Sequence, residues 1–140
     1  MSLTLVREGA FRALFQLDFC QDVGEEYEFY EDLAIQVATE ELPELSERNF
    51  LRMKGKVKGT RQNLEEIDEL IQKNLKKGWT LKRLGTAERN ILRLAVYEMK
   101  FAEEKLSANI AINEAVNLAK RYGTDNSGKF VNGILDTVSK

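Results

Sequence analysis

The sequence predicts an all-α protein, and three observations carry that expectation. Apolar residues recur in steps of three and four along nearly the whole chain, as the buried stripe of an amphipathic helix does. No stretch alternates apolar and polar residues with the period of two that a half-buried strand requires. Turn-forming residues fall where periodic runs stop, at Gly24, Pro43, Gly78 and Gly123. With 140 residues, 43% of them hydrophobic, the chain is long enough for one core and short for two ordinary domains, so a single domain over 1–140 is expected.

The elements follow in order. Val6, Ala10, Ala13, Leu14 and Leu17 share one face of a first helix, and Phe11 and Phe15 form an i, i+4 pair beside it, as a wide core contact or as an aromatic patch for a partner. An acidic connection around Gly24 leads to a shorter helix near 28–41, ended by Leu42-Pro43. From Ser46, a candidate N-cap, the series Phe50, Met53, Val57, Thr60, Leu64, Ile67 and Ile71 keeps one phase, which predicts one long helix rather than two. Gly55 and Gly59 lie off that seam; Lys54, Lys58 and Arg61 share an outer face that could touch phosphates, a solvated basic face being the plainer reading. Gly78 closes this helix, and Trp79-Thr80-Leu81 begins a linking turn expected to anchor the helix end through the indole. Thr86 reads as the N-cap of a central core helix carrying Ile91, Leu92, Ala95, Val96 and Met99, with Glu88 in its first turn. A further helix carries Ile112, Ala115, Val116 and Ala119 and stops at Gly123; the last carries Val131, Ile134, Leu135 and Val138.

Composition removes several function classes. There is no histidine, the usual base near neutral pH and the commonest nitrogen ligand of zinc, so hydrolase triads and most metal sites lose their key part. No catalytic residue, cofactor or metal is expected. The single cysteine, Cys20, has no internal disulfide partner and apolar neighbours, which reads as a buried thiol in a reducing compartment. No window resembles a membrane span or signal segment, so a soluble cytoplasmic protein is expected. The net charge of −2 conceals a separation: residues 1–47 hold two arginines against twelve acids, net −10, and residues 48–140 hold nineteen bases against eleven acids, net +8. A basic remainder of that kind is compatible with a polyanion partner, and equally with helices charged for solubility.

Gly123-Thr-Asp-Asn-Ser-Gly-Lys129 satisfies the first seven positions of a phosphate-binding P-loop, but Phe130 stands where a magnesium-binding Ser or Thr is needed, and the preceding segment is helical. Nucleotide hydrolysis is not expected. The segment still delivers amides near Ser127 to a helix start, a place suited to an anionic phosphate, or else an ordinary capped turn. Asn113 and Asn132 lie within apolar helices and are expected to pin neighbours. Glu88, Glu98 and Glu114 have no local partner that would make them general acids.

Three ordered stretches, Leu84–Glu98 (LGTAERNILRLAVYE), Ala111–Tyr122 (AINEAVNLAKRY) and Lys129–Asp136 (KFVNGILD), closely resemble the NusB family, and Arg7–Gln16 (REGAFRALFQ) looks like its first helix. The resemblance implies an all-helical NusB-like fold of about seven helices in two small packed bundles. It also implies a non-enzymatic transcription antitermination factor that binds boxA RNA as a heterodimer with NusE, a ribosomal small-subunit protein, and joins the transcription elongation complex on ribosomal RNA operons. By the same resemblance, Arg7, Asn126 and Lys129 are RNA-binding positions, and Phe15, Glu88 and Phe130 are partner-binding ones. The chain departs from the family's pattern at its start. Where several consecutive arginines are usual, it has Leu3-Thr-Leu-Val6 before a lone Arg7, which predicts fewer phosphate contacts and a shallower salt dependence. Two other readings fit the residues: a helical interaction scaffold or homodimer with little RNA affinity, and an accessory region of an RNA methyltransferase.

Overall fold

A computed structural model describes residues 2–19, 26–42 and 45–140, with side chains from Thr4 onward. Among these residues there are seven α-helices: α1 (Ser2–Leu17), α2 (Tyr27–Glu40), α3 (Glu47–Gln62), α4 (Leu64–Lys73), α5 (Thr86–Val96), α6 (Ala108–Tyr122) and α7 (Ser127–Ser139). The chain divides into two compact units, Met1–Lys58 and Gly59–Lys140. The expectations placed on Cys20, Gly24 and Pro43 lie outside the described residues. No described helix is long and apolar enough to cross a membrane.

In the first unit, the predicted stripe of α1 is the buried one: Val6, Ala10, Ala13, Leu14 and Leu17 are inaccessible, and Phe11 joins them. They pack on α2, which buries Ala34, Ile35 and Ala38, while Met53 and Val57 come from α3. Ser46 caps α3 as expected, its Oγ accepting the Asn49 amide at 3.1 Å. Lys58 is not simply solvated. Its Nζ lies 2.7 Å from Glu31 and 3.0 Å from Asp32, and the hydrogen bond to Glu31 outweighs burial and raises its pKa above the ordinary 10.5.

The long helix expected from Ser46 is two helices. Asn63, at φ −106° and ψ 17°, leaves the helical path; its side-chain amide donates to the Gly59 carbonyl at 2.8 Å, and its own carbonyl accepts the Ile67 amide that opens α4. A short amide side chain that competes for backbone partners breaks the helix without shifting the seam, and Thr60, Ile67 and Ile71 stay buried in phase. Periodicity reports the phase and is blind to a one-residue interruption that preserves it.

The second unit is built on α5, whose Ile91, Leu92, Leu94, Ala95 and Val96 are all buried, with α6 and α7 packed on it and on each other. Gly85 is the N-cap of α5 and Thr86 is its first helical residue, so the helix starts one position earlier than expected. Beyond Val96 the chain widens into a π-turn, Tyr97–Phe101, where the Ala102 amide reaches back five residues to the Tyr97 carbonyl at 2.9 Å. Burial, then the carboxylates of Glu98 and Glu103, pushes the Tyr97 phenol above its ordinary pKa of 10.0. Asn113 and Asn132 are exposed and pin nothing; Asn90 is the buried asparagine, donating to the Thr86 carbonyl at 2.9 Å.

Candidate RNA and partner surface

The turn between α6 and α7 is organised around Ser127. Its side chain is fully buried; Oγ donates to Glu88 Oε2 at 2.6 Å, accepts the Thr124 amide at 2.8 Å and lies 3.2 Å from Thr124 Oγ1. Gly123 makes the turn this tight. A Cβ there would stand 2.5 Å from the Ser127 Cβ and 2.8 Å from the Ala119 carbonyl, inside any real contact distance. The turn therefore needs both the small residue and the hydroxyl, and it joins two positions 39 residues apart that the sequence left unconnected.

This geometry changes the reading of the helix start. The Ser127 amide is taken by the Thr124 carbonyl at 3.1 Å, and the α7 N-cap residue, Asn126, makes no side-chain capping bond. The negative charge that a helix N-terminus favours is supplied from within the chain by Glu88. Asn126 and Lys129 are exposed on the first turn of α7, and Phe130, one position on, is half-buried. Four of the six predicted site residues thus gather at one place: Glu88, Asn126, Lys129 and Phe130.

A part-buried ion pair also holds α5. Arg93 donates from Nε and Nη2 to both oxygens of Asp68, at 2.8 and 2.9 Å, and from Nη1 to Asn90 Oδ1 at 3.2 Å. A fork-to-fork pair of this kind fixes both distance and orientation, so α4 and α5 are locked in register. Sequence reading missed it because the partners are 25 residues apart and no local pattern links them. It also missed the Ser127 hydroxyl, for which the only signal was a serine in the first turn of a helix.

The other two predicted residues lie on α1. Phe15 is half-buried in a ladder of rings, 5.9 Å from Phe11 and 5.6 Å edge-on to Phe19, which is 71% exposed. The Phe11 and Phe15 pair is therefore divided, with Phe11 in the core and Phe15 half-buried toward the surface. Arg7, only 5% exposed, presents little surface to a phosphate in this conformation.

The sequence profile of the NusB family matches residues 4–140. The chain belongs to the NusB family. The transcription antitermination protein NusB of Bacillus cereus (strain B4264) is 40% identical over 138 residues, covering 99% of this chain and 97% of the relative. That of Bdellovibrio bacteriovorus is 45% identical over 124 residues, covering 78% and 91%. Among solved structures, T. maritima NusB superposes with a TM-score of 0.81 at 39% identity, over 97% of this chain and 89% of that one. A structure of antitermination factors NusB and NusE in complex with dsRNA matches with a TM-score of 0.79 at 30% identity, over 99% and 96%. The expected NusB-like fold of seven helices is the observed one. NusB proteins are transcription antitermination factors, a non-enzymatic family, and the family membership excludes the catalytic readings on firmer ground than the missing histidine did.

Proposed function

We propose that this chain binds boxA-type RNA as a heterodimer with NusE and acts within the elongation complex transcribing ribosomal RNA operons, in the cytoplasm. The observation that carries the reading is the likeness, over 99% of the chain, to a NusB that is assembled with NusE and RNA. Asn126 and Lys129 are the proposed RNA contacts, and Glu88, Phe130 and Phe15 the proposed partner contacts. Glu88 would present its remaining carboxylate oxygen while Ser127 holds the other. Arg7 enters the proposal through rotation of its guanidinium out of its present cover, an added cost consistent with a weaker phosphate term.

A second reading, a homodimer with little RNA affinity, draws on the exposed Phe19 beside Phe15. Size-exclusion chromatography with light scattering separates the two. The proposal expects an equimolar mixture with NusE to elute as one heterodimer that carries labelled boxA RNA with it. A homodimer that neither exchanges for NusE nor retains RNA would overturn it.

A further inference from the structure

The loop between α4 and α5 combines an exposed aromatic ring, a planar cation and a concentration of positive charge. Trp79 is 47% exposed, and the Arg83 guanidinium lies over its ring, 5.3 Å from the centroid. The indole therefore does not anchor the helix end, as its position in the sequence suggested. Gln72 does: its amide donates to the Trp79 carbonyl and its oxygen accepts the Leu81 amide, both at 2.9 Å. Gly78, at φ +91°, turns the chain outward, and its carbonyl accepts from Arg83 Nη1 at 3.1 Å. Arg89 binds the Leu81 and Leu84 carbonyls at 3.2 and 3.1 Å from the other side. The ring is thus held out to solvent on a backbone fixed at both ends, so little ordering remains to oppose a ligand.

The charge within the loop and its immediate flanks has one sign. From Leu70 to Ala87 there are five cations, Lys73, Lys76, Lys77, Lys82 and Arg83, all exposed, and no carboxylate. An aromatic face beside an arginine plane, flanked by lysines, is the chemistry that stacks unpaired bases while neutralising the phosphates between them. An acidic protein segment would use the lysines and leave the indole idle. We infer that the Trp79–Arg83 loop is a stacking site for an unpaired base of single-stranded RNA, with Lys76, Lys77 and Lys82 on the neighbouring phosphates. The proposed site shares no residue with the α6–α7 turn and requires neither boxA nor NusE.

Trp79 is the only tryptophan, so indole emission reports on this loop alone. The test titrates the full chain with a single-stranded oligouridylate, a blunt RNA duplex of equal length and poly-glutamate, reading indole emission for all three and anisotropy of labelled copies of the two RNAs. The inference expects saturable quenching by the single strand and little by the duplex or poly-glutamate. It expects Trp79→Ala to weaken single-strand binding about tenfold at an unchanged melting temperature, with Trp79→Phe restoring most of the loss. RNA binding without a change in emission, or no oligouridylate binding at all, would overturn it, as would equal quenching by poly-glutamate. Lys129→Glu separates this inference from the antitermination reading: it should leave the oligouridylate quenching intact even where the boxA complex is weakened.

Discussion

Replacing Ser127 by alanine removes one oxygen atom and tests the turn that gathers the proposed site. The hydroxyl makes a short hydrogen bond to a carboxylate and accepts a backbone amide. Buried bonds to a charged acceptor contribute about 1.5–3 kcal/mol, and the lower end applies here because Glu88 is half-exposed and water replaces part of the loss. The Thr124 amide belongs to an exposed residue and adds about 0.5 kcal/mol, the low end for a neutral bond. A destabilisation of about 2 kcal/mol is therefore expected, which at a slope of about 2 kcal/mol/M moves the urea midpoint by about 1 M. Urea unfolding followed by far-UV circular dichroism measures it, and the same variant should bind boxA RNA with NusE more weakly, because Asn126 and Lys129 lose their common support. A midpoint shift under about 0.2 M would mean that the Ser127–Glu88 bond does not hold the turn.

Three further outcomes are expected. Asp68→Ala, which takes both carboxylate oxygens away from the buried Arg93 guanidinium, should cost about 3 kcal/mol, whereas the double variant Asp68→Leu/Arg93→Met should recover most of that; equal losses in the two would argue against a coupled pair. Lys58 and Tyr97 both have folded pKa values raised above their ordinary 10.5 and 10.0, so the stability they contribute is complete below those values and is lost as pH rises through the folded ones. Thermal melts from pH 9 upward should accordingly show a shallower alkaline decline in Lys58→Met and in Tyr97→Phe than in the parent, and superimposable curves would contradict the assignment. Lys129→Glu places a carboxylate in the first turn of α7, where the helix dipole favours it by about 0.3–1 kcal/mol, so the melting temperature should hold or rise while RNA binding in the presence of NusE weakens. Unchanged affinity would remove Lys129 from the RNA surface.

Much of the fold was legible because burial leaves a periodic trace. The stripes read on α1, α3 and α5 supply the buried residues, and α6 stops at Gly123 as expected, whereas α4 ends at Lys73 with Asn74 as its cap, short of the Gly78 expected to close it. What left no periodic trace was missed. Asn63 breaks a helix while preserving its phase, and the π-turn at Tyr97–Phe101 alters hydrogen bonding without altering composition. Asn113 and Asn132 were expected to pin helices because amides in apolar segments often do; they simply face water. The site was legible only in part. Asn126, Lys129 and Phe130 are neighbours in sequence, but the bond from Ser127 to Glu88 spans 39 residues, and Arg93 meets Asp68 across 25. Such pairings depend on how helices pack; the resemblance to NusB named Glu88 as a partner position without connecting it to the α7 start. Arg7 shows the converse: resemblance names the residue, and its burial here decides how readily it can be used.

Fluorescence anisotropy of labelled boxA RNA, titrated with this protein alone and with equimolar NusE at two salt concentrations against a scrambled RNA, tests most directly whether the chain delivers RNA recognition jointly with a partner. Sequence-selective binding that tightens with NusE and weakens with salt is expected, with a salt slope of about −0.7 to −0.9 for each phosphate contacted. Equal affinity for boxA and scrambled RNA, with NusE making no difference, would contradict it.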